Sequence, residues 1–139
     1  MTLTEHVNQF GKDSEGEEEW TPLMAAAWFE HFQVVKYLIE QGEADPNIVA
    51  SDGANALHCA AAFNRTTTEL IQLLLTNMSL NSINKKHRGR YTPLDNAYDK
   101  NDTPLRQEII ALLHSKGGKA NCYDANGRMV GKGNGDLND

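Results

Sequence analysis

The chain has 139 residues, with 13 Lys and Arg against 19 Asp and Glu, and its formal net charge is −6. This length leaves room for one compact domain or a short repeat array, but not for two ordinary domains with a linker. The acidic balance argues against a nucleic-acid backbone or an anionic membrane as the main partner, and no apolar run approaches the roughly 18–20 residues needed to cross a bilayer.

The N-terminal segment, residues 1–16, has no periodic apolar pattern, and five acidic residues follow one another closely in residues 13–19. We expect this segment to be either a frayed tail or the remnant hairpin of a preceding structural unit, to which Val7 and Asn8 point. The acidic run is expected to form either a solvated edge or a patch that steers a partner.

A repeat organises the rest of the chain. Three short apolar segments align with one another at residues 21–27, 55–61 and 92–98, and a second apolar run follows each of them, at 34–39, 70–75 and 109–113. The aligned leucines, Leu23, Leu57 and Leu94, are separated by 34 and then 37 residues. Such self-similarity predicts an array of similar supersecondary units.

Each unit is predicted to contain two short helices. Thr21, Thr92 and Thr103 are suitable N-caps, and each precedes a proline at the first helical position. Gly42 and Gly117 are predicted to end the second helices in the left-handed region. Helices of this length are marginal alone, so the units must stack to bury their apolar faces. The segments 43–54, 78–91 and 118–128 are expected to form extended loops or hairpins.

The aligned cores, such as Thr21-Pro22-Leu23 and Leu57-His58-Cys59-Ala60, resemble the Thr-Pro-Leu-His-x-Ala signature of ankyrin repeats. The resemblance covers about residues 17–130 and implies an all-α solenoid of stacked helix-turn-helix units joined by β-hairpin-like loops. The implied units span about 17–49, 50–86 and 87–123, with a partial unit at 124–130 and a disordered tail at 131–139. Only the second unit has the signature histidine, His58, which is expected to hydrogen-bond loop backbone.

Residues that could carry catalysis or hold a metal do not form a recognisable constellation in the sequence. The five histidines lie in different local contexts without metal-ligand spacing, and Asp124-Ala125-Asn126-Gly127 lacks the closing glutamate of a calcium loop. We therefore expect no enzyme activity, no metal and no cofactor. Cys59 and Cys122 form neither a disulfide framework nor a metal knuckle, and the start of the chain lacks signal-peptide features. Both observations favour an intracellular, cytoplasmic or nuclear, location.

The resemblance implies that a partner protein meets the concave face, which is formed by hairpin tips and the exposed side of each first helix. Five of the ten aromatic residues fall on this predicted face. Two of them, Phe29 and Phe63, either face the partner or wedge between stacked units. The basic run at 85–90 is either a solvated edge or a steering patch. The predicted partner-binding residues are Glu18, Trp20, Trp28, Phe29, Asp52, Phe63, Arg88, Arg90, Tyr91, Lys100 and Arg128.

The sequence therefore predicts a non-enzymatic protein-protein interaction module that is monomeric outside its complex. Two alternatives remain open: a small stoichiometric regulator or inhibitor of an enzyme, and a structural subunit of a larger complex. The resemblance also raises the hypothesis that Asn47, Asn84 or Asn121, which lie at corresponding positions of the units, is hydroxylated.

Overall fold

The computed structural model describes residues 8–9, 20–62, 68–99, 103–124 and 126–130. These residues form seven helices and no extended strand. The helices are α1 (Pro22–Trp28), α2 (Phe32–Glu40), α3 (Ala56–Ala62), α4 (Glu69–Thr76), α5 (Leu80–Ile83), α6 (Pro93–Tyr98) and α7 (Pro104–Ser115). The tail at 131–139 and segment 1–16, apart from residues 8–9, lie outside the described residues. Within the described ranges, no helix has the length and apolar character needed to cross a membrane.

Three of the helices begin at the threonine caps that the sequence indicates. The hydroxyl of Thr21 accepts a hydrogen bond from the Met24 N–H at 3.3 Å, and Thr103 caps α7 in the same way. Thr92 forms a reciprocal capping box with Asp95, in which each side chain accepts a hydrogen bond from the other residue's backbone N–H. Each cap precedes a proline, which needs no hydrogen-bond acceptor in the first turn.

The helices stack in two layers, as an all-α repeat array requires. The inner layer is formed by α1, α3 and α6, and the outer layer by α2, α4 and α7, with each helix in contact with the next in its layer. Within each unit the inner helix packs on its outer partner. Leu23, Leu57 and Leu94 occupy corresponding core positions and are at most 1 % exposed. Burial of these leucines between neighbouring pairs holds the stack together, because no pair could bury its apolar face alone.

The loops between helix pairs turn back on themselves as short hairpins. The Ala50 N–H donates to the Ala54 carbonyl at 2.7 Å, and single antiparallel bridges join His87 to Tyr91 and Tyr123 to Met129. The hairpins are therefore shorter than regular β-hairpins. The helix α5, capped by Ser79, lies within the predicted loop at 78–91, a feature that the turn-rich composition did not indicate.

Adjacent hairpins touch through their backbones. The Arg88 N–H donates to the Asp52 carbonyl at 2.6 Å. Gly53 lies beside this bond with a φ of +90°, and a Cβ atom at this position would stand 2.7 Å from the Lys86 carbonyl oxygen. Only glycine combines this backbone conformation with such a close approach.

The predicted glycine ends of the outer helices are confirmed in one case and wrong in the other. Gly117, after α7, has a φ of +87°. After α2 the left-handed residue is Glu43, with a φ of +58°, and not Gly42. Gly42 instead lies close to the backbone of Leu38, where a Cβ would meet the Leu38 carbonyl oxygen at 3.1 Å. The glycine there eases the close approach to Leu38 and does not adopt a positive φ.

Asparagine side chains tie each loop to the next. Three of them, 39 and 37 residues apart, accept a hydrogen bond from a backbone N–H in the following unit. These bonds join Asn8 Oδ1 to Asp45 N at 2.8 Å, Asn47 Oδ1 to Ser79 N at 3.0 Å and Asn84 Oδ1 to Lys119 N at 2.7 Å. The contact made by Asn8 therefore has the same form as those made by Asn47 and Asn84.

Candidate functional site

A groove with a volume of about 310 Å³ opens between the hairpin tips and the inner helices. Its lining residues come from the hairpins and inner helices of all three units, so it exists only in the stacked array. The lining residues are Trp20, Trp28, Asp52, Ala54, His58, Cys59, Ala62, His87, Arg88, Asn96 and Asp99.

The groove has its depth because the middle unit carries alanines. Counting from the caps Thr21, Asn55 and Thr92, the equivalent positions at the ends of the inner helices are Trp28, Ala62 and Asp99. Just before the caps, the equivalent positions are Trp20, Ala54 and Tyr91. The tryptophans of the first unit and Asp99 of the third thus flank methyl groups in the second, which leaves a socket with an alanine floor.

The two tryptophans form the wall of this socket nearest the first unit. The ring centroids of Trp20 and Trp28 lie 5.2 Å apart with their planes tilted by 52°. Both side chains are half-buried and pack against the hydrophobic core. Packing on one side fixes the indoles, while their remaining surface borders the groove, a geometry suited to contact with an incoming side chain.

His58 lies beneath the groove with both ring nitrogens engaged. Its Nδ1 accepts a hydrogen bond from the Asn55 N–H at 3.0 Å, so Nε2 carries the proton and donates to the Tyr91 carbonyl at 3.0 Å. Burial, with a smaller contribution from the nearby His87, lowers the pKa of His58 to about 4. The ring is therefore neutral at physiological pH and joins a helix cap to the next hairpin, as expected for the signature histidine.

His87 and Asn96 extend this hydrogen-bonded network across the groove. The Asn96 side-chain amide donates to the His58 carbonyl at 3.3 Å, and its Oδ1 faces His87 Nε2 at 3.2 Å. The His87 ring meets that of His58 edge-on, with centroids 4.8 Å apart. Nδ1 of His87 is buried, and no hydrogen-bond partner for it exists among the described residues. This network gives the groove a rigid polar side.

Two carboxylates and one guanidinium are among the groups that line the groove. Asp52 Oδ1 accepts a hydrogen bond from the Ala54 N–H at 2.9 Å, and Asp99 Oδ1 accepts one from the Tyr123 hydroxyl at 2.8 Å. In the described part of the chain, the second oxygen of each carboxylate has neither a hydrogen-bond nor an ion-pair partner. Arg88 is exposed at the rim. The walls therefore carry one more carboxylate than guanidinium.

The groove includes some of the predicted partner-binding residues and not others. Four line it: Trp20, Trp28, Asp52 and Arg88. Four others are described but do not line it: Phe29, Arg90, Tyr91 and Arg128. Glu18, Phe63 and Lys100 lie outside the described residues.

The four residues outside the groove have other surroundings. Phe29 is 59 % exposed and stacks on His31 at a centroid distance of 6.1 Å, so it does not wedge between stacked units. The Arg90 guanidinium lies 4.9 Å from the centroid of the Tyr91 ring. Arg128 is exposed in the last hairpin, where its backbone N–H donates to the Asp124 carboxylate at 3.0 Å.

Sequence reasoning did not place Cys59, His87 or Asn96 at the groove. Cys59 and Asn96 each precede a groove position, Ala62 and Asp99, by three residues, so helical spacing could have identified both. His87 comes from a hairpin, and no periodicity indicates where a hairpin side chain points. The Cys59 thiol is not a reactive group here, because burial raises its pKa to about 12. Among the residues that the structure covers, no cluster of three or more His, Cys, Asp or Glu side chains could hold a metal ion.

Comparison with known proteins identifies the repeat. The ankyrin repeat family model matches residues 18–51 and 52–86. The chain is 37 % identical over 90 residues to Ankyrin repeat and SAM domain-containing protein 6 of Rattus norvegicus, covering 65 % of the chain and 10 % of that protein. It is 32 % identical over 104 residues to the NAD-dependent deacetylase sir2B of Dictyostelium discoideum, covering 75 % of the chain and 13 % of that protein.

A third relative is similar over a shorter stretch. The chain is 45 % identical over 69 residues to Zinc finger CCCH domain-containing protein 66 of Arabidopsis thaliana, covering 48 % of the chain and 11 % of that protein. The chain thus spans only about a tenth of the length of these relatives, and the similarity concerns one part of each.

Proposed function

The chain belongs to the ankyrin-repeat family, and we propose that it is a non-enzymatic module that binds a segment of a partner protein in the groove described above. Ankyrin repeats are generally protein-protein interaction modules. In this proposal the chain is a monomer until the partner binds, and Trp20, Trp28, Asp52 and Arg88 contact the bound segment.

The observation that supports this proposal best is the pair of half-buried tryptophans at an open groove. Tryptophan and arginine are enriched among residues that dominate binding energy, particularly where packing already holds them in place. Trp20 and Trp28 are held against the core, so binding would order them at little cost in conformational entropy. A partner would gain apolar burial without paying for rearrangement of this wall.

The chemistry of the groove also favours binding over catalysis. His58 is neutral and both of its ring nitrogens are committed to backbone groups, so it is not available as a general base. The Cys59 thiol stays protonated at physiological pH, because burial raises its pKa. The groove therefore offers surface and hydrogen-bonding groups without an activated nucleophile among these residues.

The proposal is tested by filling the socket. Ala62→Trp places at the middle inner helix the side chain that Trp28 provides in the first, and Ala111→Trp, on the exposed surface of the outer helix α7, is the matched control. We expect proteins captured by the wild type and by Ala111→Trp to be lost with Ala62→Trp, as measured by affinity purification and mass spectrometry. Circular dichroism checks that both variants fold. A substitution at an exposed position, Asp52→Asn, supplies a second test that does not change the packing of α3. Capture that is the same for all four proteins would rule the groove out.

A further inference from the structure

We propose that the socket of the groove accepts an arginine side chain from the partner segment, with its aliphatic part over the alanine floor and its guanidinium between the tryptophan pair and the carboxylates. This inference rests on the proposed function, since it assigns the chemistry of the residue that anchors the partner. It makes the groove selective for a basic segment.

The shape of the socket favours a long side chain. Ala54 and Ala62 replace the larger residues found at the same positions of the neighbouring units, and Cys59 lies one helical turn before Ala62. These three side chains form an apolar floor. A side chain with an unbranched aliphatic stem can cover such a floor while its charged end reaches the rim, which is how arginine and lysine pack on apolar surfaces.

The walls then supply two kinds of attraction for a cation. Indole is the aromatic ring that attracts cations most strongly, and Trp20 and Trp28 meet at a 52° tilt that presents ring surface along two directions. Asp52 and Asp99 add carboxylate oxygens that have no partner within the described part of the chain. A cation at this point gains from both kinds of group.

The charge balance argues against an acidic anchor. An incoming carboxylate would meet Arg88 but also both aspartates, and His58 contributes no positive charge because its pKa is about 4. The chain as a whole has a net charge of −6, which favours the approach of a basic segment. The electrostatics of the socket and of the whole chain thus favour the same sign of partner.

Arginine fits these walls better than lysine does. A guanidinium is planar, so it can stack on an indole while its N–H groups donate to a carboxylate in the same plane. An ammonium group is compact and strongly hydrated, and it cannot make both contacts with one face. We therefore expect lysine at the anchor position to bind more weakly than arginine.

The test begins with a random-peptide display library selected on the full chain and counter-selected on Ala62→Trp. The chain has two tryptophans and both line the groove, so tryptophan emission reports binding at this site for peptides that contain no tryptophan. For the best peptide, the anchor residue is varied among arginine, lysine, norleucine and glutamate, and the dissociation constant is measured by emission. Norleucine keeps an unbranched apolar stem and removes the charge.

We expect the selected peptides to share a basic residue, and we expect its replacement by norleucine to weaken binding about tenfold. The double variant Asp52→Asn/Asp99→Asn should weaken binding of the arginine peptide by a similar factor. It should leave the dissociation constant of the norleucine peptide nearly unchanged. Peptides that bind in the groove with an apolar or acidic anchor would overturn the arginine inference but leave the proposed function intact. Failure to select any peptide that Ala62→Trp rejects would overturn both.

Discussion

His58 and Asp95 occupy the same position in successive inner helices and make the same connection with opposite hydrogen-bond polarity. His58 accepts from the Asn55 N–H and donates to the carbonyl of Tyr91 in the next hairpin. The Asp95 carboxylate accepts from the Thr92 N–H and also from the backbone N–H groups of Asn121 and Cys122 in the loop that follows. The loop after α7 therefore presents donors where the hairpin after α5 presents an acceptor.

The first prediction concerns Asp95, which is fully buried. Asp95→Asn replaces one carboxylate oxygen by an amide NH₂ that would face backbone N–H groups, and we expect the free energy of unfolding to fall by about 2–4 kcal/mol. Asp95→His should lower the free energy of unfolding at least as much as Asp95→Asn, although it restores the signature residue. The reason is that a histidine would meet backbone N–H donors at Asn121 and Cys122. Urea denaturation of each variant measures the loss.

The matched control for Asp95 is Asp45→Asn. Asp45 is also a carboxylate that accepts a hydrogen bond from a backbone N–H, that of Asn47 at 2.9 Å, but it is exposed to solvent. Water can satisfy the groups released there, so the expected loss is within about 0.5 kcal/mol. Equal losses at the two positions would show that burial of the Asp95 carboxylate is not what makes it important.

The second prediction is a loss of stability at mildly acidic pH through His58. Its pKa is lowered from 6.5 to about 4 in the folded chain, so between these values the unfolded chain binds a proton that the folded chain does not. Above about pH 6.5 this difference in proton binding leaves the free energy of unfolding unchanged. The free energy of unfolding falls as the pH drops below that value, and the loss is about 3 kcal/mol near pH 4. Denaturation midpoints measured across this range should show the decline.

His58→Gln isolates the part of this decline that belongs to His58. The variant should be less stable than the wild type at neutral pH, but its stability should fall less steeply between pH 6.5 and pH 4. The exposed His31→Gln should retain the steep wild-type profile. If His58→Gln and the wild type lose stability in parallel, the proton is taken up elsewhere.

The third prediction compares two glycines with positive φ. At Gly53 a Cβ would approach the Lys86 carbonyl oxygen to 2.7 Å, whereas at Gly89 no atom lies within 4 Å. Gly89→Ala should therefore cost only the strain of a left-handed alanine, about 1 kcal/mol, while Gly53→Ala should cost at least about 2 kcal/mol because the hairpins must also separate. Thermal denaturation of the pair gives the comparison, and a cost at Gly89 equal to that at Gly53 would refute the contact argument.

The fourth prediction is that both thiols are inert in the folded chain. Cys59 and Cys122 are buried, and burial raises the pKa of each thiol, that of Cys59 to about 12. Alkylation by iodoacetamide at neutral pH should be at least about a hundredfold slower than in denaturant, where both thiols react. Mass spectrometry of timed samples measures this, and rapid modification of either cysteine in the native chain would contradict the burial.

The interior of the fold was predictable because its signals are local. The caps Thr21 and Thr92 and the spacing of Leu23, Leu57 and Leu94 depend on neighbours a few residues away or on a regular period. Such signals define helices and their apolar faces, and short helices with apolar faces have to stack. The left-handed residue after α2 was predicted wrongly, at Gly42 instead of Glu43, because Gly42 packs closely against the backbone of Leu38 without a positive φ.

The sequence by itself therefore determined that this chain is a stack of paired helices in the ankyrin-repeat family, since the repeat period and the helix caps can be recognised from residue types and their spacing. The sequence also predicted Trp20, Trp28, Asp52 and Arg88 on the face where the groove lies. Only the tertiary structure decided which other side chains border the groove and whether the link at His58 or Asp95 is donated or accepted. The groove lining and the direction of this hydrogen bond depend on the backbone and side chains that the hairpin of the next unit brings against the inner helix. The geometry of that hairpin is set by packing between units. That packing has no period in the sequence.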